Sequence, residues 1–342
     1  MRIAIVMSHA SRRLNGAQRD LHFARALNAR GAQAQLFRMH GGTDVERELH
    51  LEDAVAATFC PADNPQEIAH RQVSTALRQE VAAFAPDVVL YKGLGYAVNT
   101  DLQASLPGTT RIGLVVGGSV TDPLLDRAAL VLGEYGAQLW MRFPQQFRAG
   151  RTLVLPKLVD LDLAGPGIPV AQAVAGYDIV NVGTLAEPRK NQGALLPFAE
   201  AYRLAFVGGG PRLRELRRAV PEDQRANITY FGQLPHAQVF DVLRRSRIMV
   251  HIATMDGLPR ATVEAMACGL PVIALRTTIA GGIPNAAGLL VGEAGLPHAV
   301  ALLLADDDLR VRMGRAARRH VETHHGIAAI AAAAEETLRV LG

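Results

Sequence analysis

Short apolar runs rich in β-branched residues alternate with amphipathic helical patterns along most of this chain. Residues 2–7 form the first run, and a polar loop then leads to a helical pattern that contains Leu21, Phe23, Ala24 and Leu27. The same reasoning predicts a helix over 65–84 and strands at 34–37, 87–91, 111–116, 128–132 and 152–155. Because strands this apolar are usually covered on both faces, as in parallel sheets, the pattern predicts an α/β protein.

The length of 342 residues exceeds one ordinary hydrophobic core and favours two domains. A connector rich in glycine and proline, residues 164–169, separates the first alternation of strands and helices from a second that begins at Tyr177. We therefore expect one Rossmann-like domain over residues 1–160 and another over residues 161–325. Helical patterns over 307–323 and 326–340 close the chain.

Composition excludes several classes of protein. Hydrophobic residues make up 49% of the chain and charged residues 20%, which is typical of a globular protein and not of a disordered one. No stretch approaches the ~20 apolar residues of a membrane-spanning helix, and the amino-terminal run is too short for a signal peptide. The cysteines, Cys60 and Cys268, lie far apart in sequence, so we expect free thiols and a cytoplasmic protein.

The chain carries a formal net charge of +4, contributed mainly by arginine. Such a balance is compatible with an anionic ligand, with peripheral contact to an anionic membrane surface, or with nucleic acid. Nucleic acid is the least favoured partner, because aromatic residues, which stack on bases, are only 5% of the chain. Most of the clustered arginines are interpreted as a solvated helical face: Arg212, Arg214, Arg217, Arg218, Arg225, Arg244, Arg245 and Arg247.

Residues 256–273 are interpreted as a loop, a short helix and a buried strand. Pro259 suits the first position of a helix and Gly269 suits the position just after its end, so we predict a helix over 259–268. A helix start presents unpaired N–H groups and a partial positive charge, which favour a pyrophosphate. Glu264 could then bind a ribose diol and Asp256 the sugar, although both acids could instead only complement the helix dipole.

Ligands of parallel sheets bind beyond the carboxyl ends of the strands, where the strand order reverses. The segments that follow predicted strands are therefore candidate ligand contacts: 183–190, 208–210, 231–234 and 256–264. Gly16, in the loop after the first strand, would allow close approach of a phosphate or a sugar. Glycine-rich turns are nevertheless more often only turns.

Several other motifs favour structural roles. Asp160-Leu-Asp162 lies beside the connector and is interpreted as a turn, and Asp306-Asp-Asp308 is interpreted as a helix cap. We expect no dedicated metal site. The glycine-rich segment 208–212 lacks the Gly-x-Gly-x-x-Gly spacing of a dinucleotide site, so a dehydrogenase is disfavoured.

Taken in order, the motifs of the second half resemble those of the GT4 family of retaining glycosyltransferases. Residues 256–264 resemble the family's Glu-x7-Glu region, and residues 182–191 resemble its Gly-Arg…Lys loop, with Lys190 as the lysine. Further motifs follow in the family's order and spacing at 206–211, 228–232, 281–284 and 288–291. The likeness covers most of residues 177–340. It implies the GT-B fold, in which two Rossmann-like domains with parallel sheets face an interdomain cleft, and in which a helix over 326–342 packs back on the first domain.

The resemblance implies transfer of a sugar from a nucleotide-diphosphate sugar to an acceptor hydroxyl, with retention of the anomeric configuration and without a metal or other cofactor. The amino-terminal domain would bind the acceptor and the carboxyl-terminal domain the donor. The implied catalytic residues are Lys190, which stabilises the pyrophosphate, Glu264, which holds the ribose, and Asp256, which orients the sugar. The implied donor-binding residues are Gly16, Gly183, Thr184, Arg189, Gly208, Gly209, Phe231, Gly232, Leu234, Gly257, Leu258, Pro259, Arg260 and Ala261.

Four positions depart from the family pattern: Thr184 stands where arginine is usual, Asp256 and Asn285 stand where glutamate is usual, and residues 116–119 lack a histidine. We hypothesise that Arg189 or Arg260 supplies the charge lost with the arginine. Lys92 or Ser119 could take the acceptor-side role of the histidine, although Lys92 is interpreted first as a surface lysine.

These departures leave two alternatives open. One is a GT-B-fold protein that binds a nucleotide-sugar or a protein partner without catalysis, and the other is a nucleotide-sugar epimerase. An epimerase would need acid–base side chains at the sugar, and residues 116–119 supply none. The sequence does not identify the base, the sugar or the acceptor, which could be a glycan, a lipid-linked glycan, a small metabolite or a protein.

Overall fold

The computed structural model describes residues 1–11, 14, 18–117, 121–167, 176–254, 257–276 and 282–342. The chain divides into two compact units, each built on its own sheet. The first unit comprises Met1–Leu158 together with Ile327–Gly342, and the second comprises Val159–Gly326.

The α-helices of the described residues are numbered along the chain. They are α1 Gln18–Asn28, α2 Thr75–Phe84, α3 Ala97–Ser105, α4 Gly136–Arg142, α5 Pro144–Arg148, α6 Leu161–Ala164, α7 Leu213–Arg218, α8 His236–Arg244, α9 Arg260–Ala267, α10 Leu296–Ala305, α11 Asp307–His324 and α12 Ile327–Leu341. Short 3₁₀ helices cover Ala69–Arg71, Leu125–Arg127, Pro188–Lys190, Gln192–Glu200, Glu222–Asn227 and Glu293–Gly295.

The sheet of the first unit has eight strands in the order β3-β4-β2-β1-β5-β6-β7-β8. Neighbouring strands are parallel except for β3, which is antiparallel to β4 at the edge. The strands are β1 Arg2–Met7, β2 Gln33–His40, β3 Glu46–His50, β4 Val55–Pro61, β5 Val88–Lys92, β6 Arg111–Val115, β7 Leu130–Gly133 and β8 Thr152–Val154.

Both faces of this sheet are covered, which explains the continuous apolar runs. Successive residues of β1 point to opposite faces, so Ile3 and Ile5 enter one hydrophobic core while Ala4 and Val6 enter another. The first of these cores also contains side chains of α1 and α12, and the two helices contact each other. The carboxyl-terminal helix α12 therefore belongs to the first unit.

The helix predicted over 65–84 is shorter in the structure. Only Thr75–Phe84 is α-helical, because Ser74 caps it: the Ser74 hydroxyl accepts a hydrogen bond from the backbone N–H of Leu77 at 3.0 Å. Asp306 caps α11, which confirms its predicted role. Asp160, which was interpreted as part of a turn, caps the short helix α6. Cys60 and Cys268 are both free, as predicted, and both are buried.

The second unit contains a six-stranded parallel sheet in the order β11-β10-β9-β12-β13-β14. Its strands are β9 Tyr177–Val182, β10 Leu204–Val207, β11 Ile228–Gly232, β12 Ser246–His251, β13 Val272–Leu275 and β14 Gly288–Val291. A core formed by β9, β10, β12 and β13 packs against α10, whose Val300 and Leu303 are fully buried.

One member of the arginine cluster is not on a solvated face. Arg247 is buried and forms ion pairs with Asp178 at 3.3 Å and Asp307 at 3.1 Å. Arg247 is therefore an exception to the solvated face predicted for most of the cluster, because a buried charge needs a counter-charge and the fold supplies two.

Candidate functional site

The strand order of the second sheet reverses at β9. Its neighbours are β10 on one side and β12 on the other, so the loops that follow β9 and β12 diverge at the carboxyl edge of the sheet. Reversals of this kind are where α/β proteins bind ligands. The loop after β9 contains Gly183 to Lys190, and the loop after β12 leads to α9.

Backbone hydrogen bonds join the loop after β9 to the glycine-rich loop after β10. The N–H groups of Gly183 and Leu185 donate to the carbonyl oxygens of Val207 and Gly209, both at 2.9 Å. The Thr184 hydroxyl also donates to the Gly209 carbonyl at 3.3 Å, while the Thr184 side chain stays exposed. The two loops therefore form one connected backbone surface at this edge.

Gly208 has a packing role that sequence reasoning left open. A Cβ atom there would lie 1.9 Å from the Gly183 carbonyl oxygen, and the residue has a φ of +143°. Neither condition is compatible with a side chain. The backbone of Gly209 does not have this constraint, since a Cβ atom there would come no closer than 3.5 Å to Gln233.

A 3₁₀ helix, Pro188–Lys190, carries the predicted phosphate lysine. The carbonyl of Arg189 accepts hydrogen bonds from the Thr254 N–H at 2.8 Å and the Thr254 hydroxyl at 3.3 Å, so this helix is fixed to the segment that follows β12. The Arg189 guanidinium forms an ion pair with Glu187. Lys190 itself is half-buried, and its N–H donates to the Glu187 carbonyl at 3.1 Å.

Helix α9 begins one residue later than predicted. Pro259 is its N-cap, with extended backbone (φ −67°, ψ 141°), and the helix covers Arg260–Ala267. Gly269 has a φ of +80° and follows the helix end, as predicted. Leu258 is buried, Gly257 and Ala261 are half-buried, and Arg260 is exposed. Leu258 therefore anchors the loop in the core directly before the helix start.

Glu264 is buried on α9 and bound to a histidine that the sequence did not point to. Its Oε1 lies 2.7 Å from Nε2 of His236, the first residue of α8. The hydrogen bond with Glu264 raises the pKa of His236, and partial burial opposes this only in part. When His236 is protonated, the pair is a charge-assisted hydrogen bond between two helices.

The end of β11 and the segment after it contain three of the implied donor-binding residues, Phe231, Gly232 and Leu234. Phe231 is half-buried and its ring meets Tyr177 edge-on, with the centroids 5.7 Å apart. Gly232 has a φ of +67°, and its carbonyl accepts from the Gly208 N–H at 2.8 Å. Leu234 is half-buried. The structure thus joins Gly232 to the loop after β10, while the ring of Phe231 already has an aromatic partner.

Three predicted residues lie outside the residues that the structure describes. They are Gly16, Asp256 and Ser119.

A second charged cluster lies at the order reversal of the first sheet, between β1 and β5. Lys92, the last residue of β5, forms an ion pair with the buried carboxylate of Asp20 on α1, and Arg19 pairs with the same carboxylate at 3.3 Å. Lys92 retains 25% side-chain exposure and Asp20 only 2%. The interpretation of Lys92 as an ordinary surface lysine is therefore wrong.

Burial controls the protonation of this cluster. The pKa of Lys92 is lowered to about 8, chiefly by burial. The charge of Asp20 opposes this shift but does not cancel it. Burial alone would raise the pKa of Asp20, but the charges of Lys92 and Arg19 outweigh it and hold that pKa below its usual value. A lysine with a pKa near neutral pH is suited to proton transfer or to binding an anion.

The described residues contain neither a cluster of metal ligands nor a membrane-spanning helix. No group of three or more His, Cys, Asp or Glu side chains among them is arranged to hold a metal ion. None of the described helices combines the length and the apolar character needed to cross a bilayer.

Part of the chain matches a known protein family. Residues 176–306 match the family described as Glycosyl transferases group 1. A GDP-mannose-dependent monoacylated alpha-(1-6)-phosphatidylinositol monomannoside mannosyltransferase of Corynebacterium glutamicum is 34% identical over 211 residues, which cover 53% of this chain and 54% of that protein. The chain spans about half the length of the curated relatives it matches, or less.

Two solved structures resemble the whole chain. Sucrose-phosphate synthase from Thermosynechococcus elongatus aligns with a TM-score of 0.75 and 20% identity, over 100% of this chain and 99% of that one. Anabaena HepE in complex with UDP aligns with a TM-score of 0.70 and 16% identity, over 99% of this chain and 100% of that one.

The structural likenesses define the fold, because the structures that align over the full length are GT-B proteins. The chain has the GT-B fold predicted from its sequence, with two α/β units on largely parallel sheets. Residues 176–306 match the group 1 glycosyltransferases, a GT4-type family, and this match confirms the resemblance drawn from the motifs of that part of the chain. Lys190 and Glu264 both lie within that range.

Proposed function

We propose that the chain is a glycosyltransferase that moves a sugar from a nucleotide-diphosphate sugar to an acceptor hydroxyl with retention of configuration. The position of Glu264 carries the proposal: it is a buried carboxylate on the helix that follows β12, at the strand-order reversal. One relative is named as GDP-mannose-dependent and one similar structure contains UDP, so both names support a nucleotide donor.

The proposed mechanism is electrostatic. The transition state separates a positive sugar from a negative nucleotide diphosphate, so groups that stabilise the leaving group lower the barrier. Lys190 and the N–H groups at the start of α9 neutralise the pyrophosphate. Glu264 accepts hydrogen bonds from the ribose diol, and Asp256 orients the sugar. The departing phosphate takes the acceptor proton, and the proposed reaction needs no metal ion.

The proposal assigns the acceptor to the first unit. Lys92 lies at the reversal of that sheet, where acceptor groups have access to a carboxyl edge. Asp20 orients Lys92, whose ammonium group would donate a hydrogen bond to an acceptor oxygen. This cluster would replace the histidine that residues 116–119 lack.

One observation favours the rival, a GT-B protein that binds a nucleotide-sugar without turnover. The arginine usual at position 184 is absent, and Arg189, one of its two suggested replacements, already pairs with Glu187. A guanidinium that is paired with a carboxylate adds less net positive charge at a phosphate. Arg260, the other suggested replacement, is exposed at the first position of α9.

The test is a panel of UDP-, GDP-, ADP- and dTDP-sugars, with calorimetric binding of each diphosphate and mass spectrometry of the products. Saturable binding with release of diphosphate supports the proposal, whether the sugar goes to water or to an acceptor. Binding without release supports the rival, and formation of an epimer without acceptor identifies an epimerase. If no diphosphate binds, both the proposal and the rival binder of nucleotide-sugars are wrong. The same assay with EDTA tests the absence of a metal, since the proposed activity should persist.

A further inference from the structure

A cavity of about 590 Å³ lies in the second unit, beside the edge strand β11. Its walls are Arg217, Arg218, Val220, Arg225 and Ile228–Tyr230. These residues come from the end of α7, the 3₁₀ helix Glu222–Asn227 and the first part of β11. The volume is within the ~300–1,000 Å³ range of small-molecule sites.

Three arginines line the cavity, and none of them forms an ion pair within the described part of the chain. Arg217, Arg218 and Arg225 are exposed, and within the described residues none of them forms an ion pair with a carboxylate. Neighbouring arginines on this unit differ, since Arg212 pairs with Glu215 and Arg244 pairs with Asp241. Three unpaired guanidinium groups around one cavity favour an anionic ligand.

Tyr230 adds a second, independent feature. Its ring stacks on Phe206 with the centroids 5.3 Å apart, and the Arg217 guanidinium lies 5.3 Å from its centroid. Its hydroxyl oxygen is shielded from solvent and has no hydrogen-bond partner among the described residues. Buried hydroxyl groups normally have a partner, so an unsatisfied one on a residue that lines the cavity marks an unused donor there. Burial raises the pKa of Tyr230, which keeps the hydroxyl available as a donor.

This cavity is separate from the candidate donor site. The donor residues Gly232 and Leu234 lie at and beyond the carboxyl end of β11, whereas the cavity is lined by the first three residues of that strand. Helix α7 starts near the carboxyl edge, after the loop of Gly208–Gly210, and runs back over about 9 Å at 1.5 Å per residue. Its last residues, Arg217 and Arg218, therefore lie toward the amino edge of the sheet.

We propose that this cavity is a second ligand site, which binds a phosphate group through Arg217, Arg218 and Arg225 and a further ligand oxygen through the Tyr230 hydroxyl. Arginine suits this ligand because its planar fork can donate two parallel hydrogen bonds to one phosphate. The phosphate belongs either to a free phosphorylated metabolite or to a lipid headgroup, since both present the same chemistry.

The test compares two variants of equal charge. R217Q/R218Q/R225Q removes the cavity arginines, and R312Q/R315Q/R319Q removes three exposed arginines of α11. Inorganic phosphate is titrated calorimetrically, and vesicles of phosphatidylcholine with about 30 mol% phosphatidylglycerol are used in sedimentation. Any phosphate that binds at the donor site affects both variants equally. Y230F is a third variant, which removes only the hydroxyl and leaves the charge unchanged.

We expect the cavity variant to lose one saturable phosphate site, or to lose vesicle binding, while the control variant keeps both. Loss of saturable phosphate binding indicates a free metabolite, and loss confined to vesicles indicates a headgroup. Y230F should weaken the affected interaction about 3- to 10-fold, as expected for one hydrogen bond. If both arginine variants change phosphate and vesicle binding to the same extent, or if neither changes them, the proposal is wrong. Circular dichroism of each variant checks that the fold is retained.

Discussion

Oε1 of Glu264 lies 2.7 Å from Nε2 of His236, and this contact joins α9 to α8 beside the candidate donor site. Glu264 is buried, while the His236 side chain is 50% exposed. One carboxylate oxygen is thereby held by the histidine. In the proposed function the contact sets the direction in which the carboxylate meets the ribose.

His236 makes the stability of the second unit depend on pH. The pKa of His236 is raised above 6.5 in the folded protein by the Glu264 hydrogen bond. The stabilisation from the protonated pair is therefore complete below about pH 6.5 and is lost as the pH rises through the raised pKa. Denaturant unfolding of His236→Gln from pH 5 to 9 should show a deficit relative to wild type that shrinks with pH. His298→Gln, at an exposed histidine of the same unit, is the control, and an equal pH trend in both variants would contradict the account.

Asp20 holds the charged cluster of the first unit together. Replacing it by Asn leaves Lys92 and Arg19 without their shared counter-charge, so we expect a loss of ~3–5 kcal/mol in the free energy of unfolding. Asp101→Asn is the matched control, because Asp101 forms a part-exposed ion pair with Arg78 and should lose only ~0–1 kcal/mol. Chemical denaturation measures both, and comparable losses would show that the buried cluster has no special role.

Adjacent glycines should respond differently to the same change. Gly208→Ala places Cβ 1.9 Å from a backbone oxygen at a φ of +143°, so we expect destabilisation of at least ~2 kcal/mol. Gly209→Ala meets its nearest atom at 3.5 Å and should stay within ~0.5 kcal/mol of wild type. The melting temperatures of the two variants, measured by thermal unfolding, test this difference in stability. Similar stabilities would mean that the two loops do not pack as described.

Thr184 offers a gain-of-function test. Its side chain is exposed in the loop after β9, where the family usually has arginine. Thr184→Arg should tighten binding of a nucleotide diphosphate about 10-fold, because it adds a positive charge beside the pyrophosphate. Thr184→Gln controls for side-chain length without charge. Equal affinity of the two variants in calorimetry would place the pyrophosphate elsewhere.

The fold was largely predictable because buried parallel strands are continuous apolar runs. Strands such as β1 and β6 were predicted to within a residue, and α9 to within a residue at each end, since Pro259 and Gly269 mark its limits. Strand β3 was missed because its five residues, Glu46–His50, are mostly polar and lie at an antiparallel edge with no face fully buried.

The contacts inside the sites were not predictable in the same way. His236 and Glu264 are 28 positions apart, and Asp20 and Lys92 are 72 apart, so no local periodicity relates them. The segments that carry Lys190 and Glu264 could be predicted, because the carboxyl ends of parallel strands share one edge. Which side chains meet at that edge depends on how the helices pack, and the local hydrophobic pattern does not reveal helix packing.

The most direct test of the account is the affinity of Glu264→Gln for the nucleotide diphosphate that binds wild type most tightly. Glutamine can still accept the hydrogen bond from His236 but loses the charge that would accept two ribose hydroxyls. We predict binding ~10- to 100-fold weaker than wild type, as expected for hydrogen bonds to a charged group. Glu293→Gln, at an exposed glutamate of the same unit, should bind like wild type. Unchanged affinity of Glu264→Gln would contradict the assignment of the donor site to this edge of the second sheet.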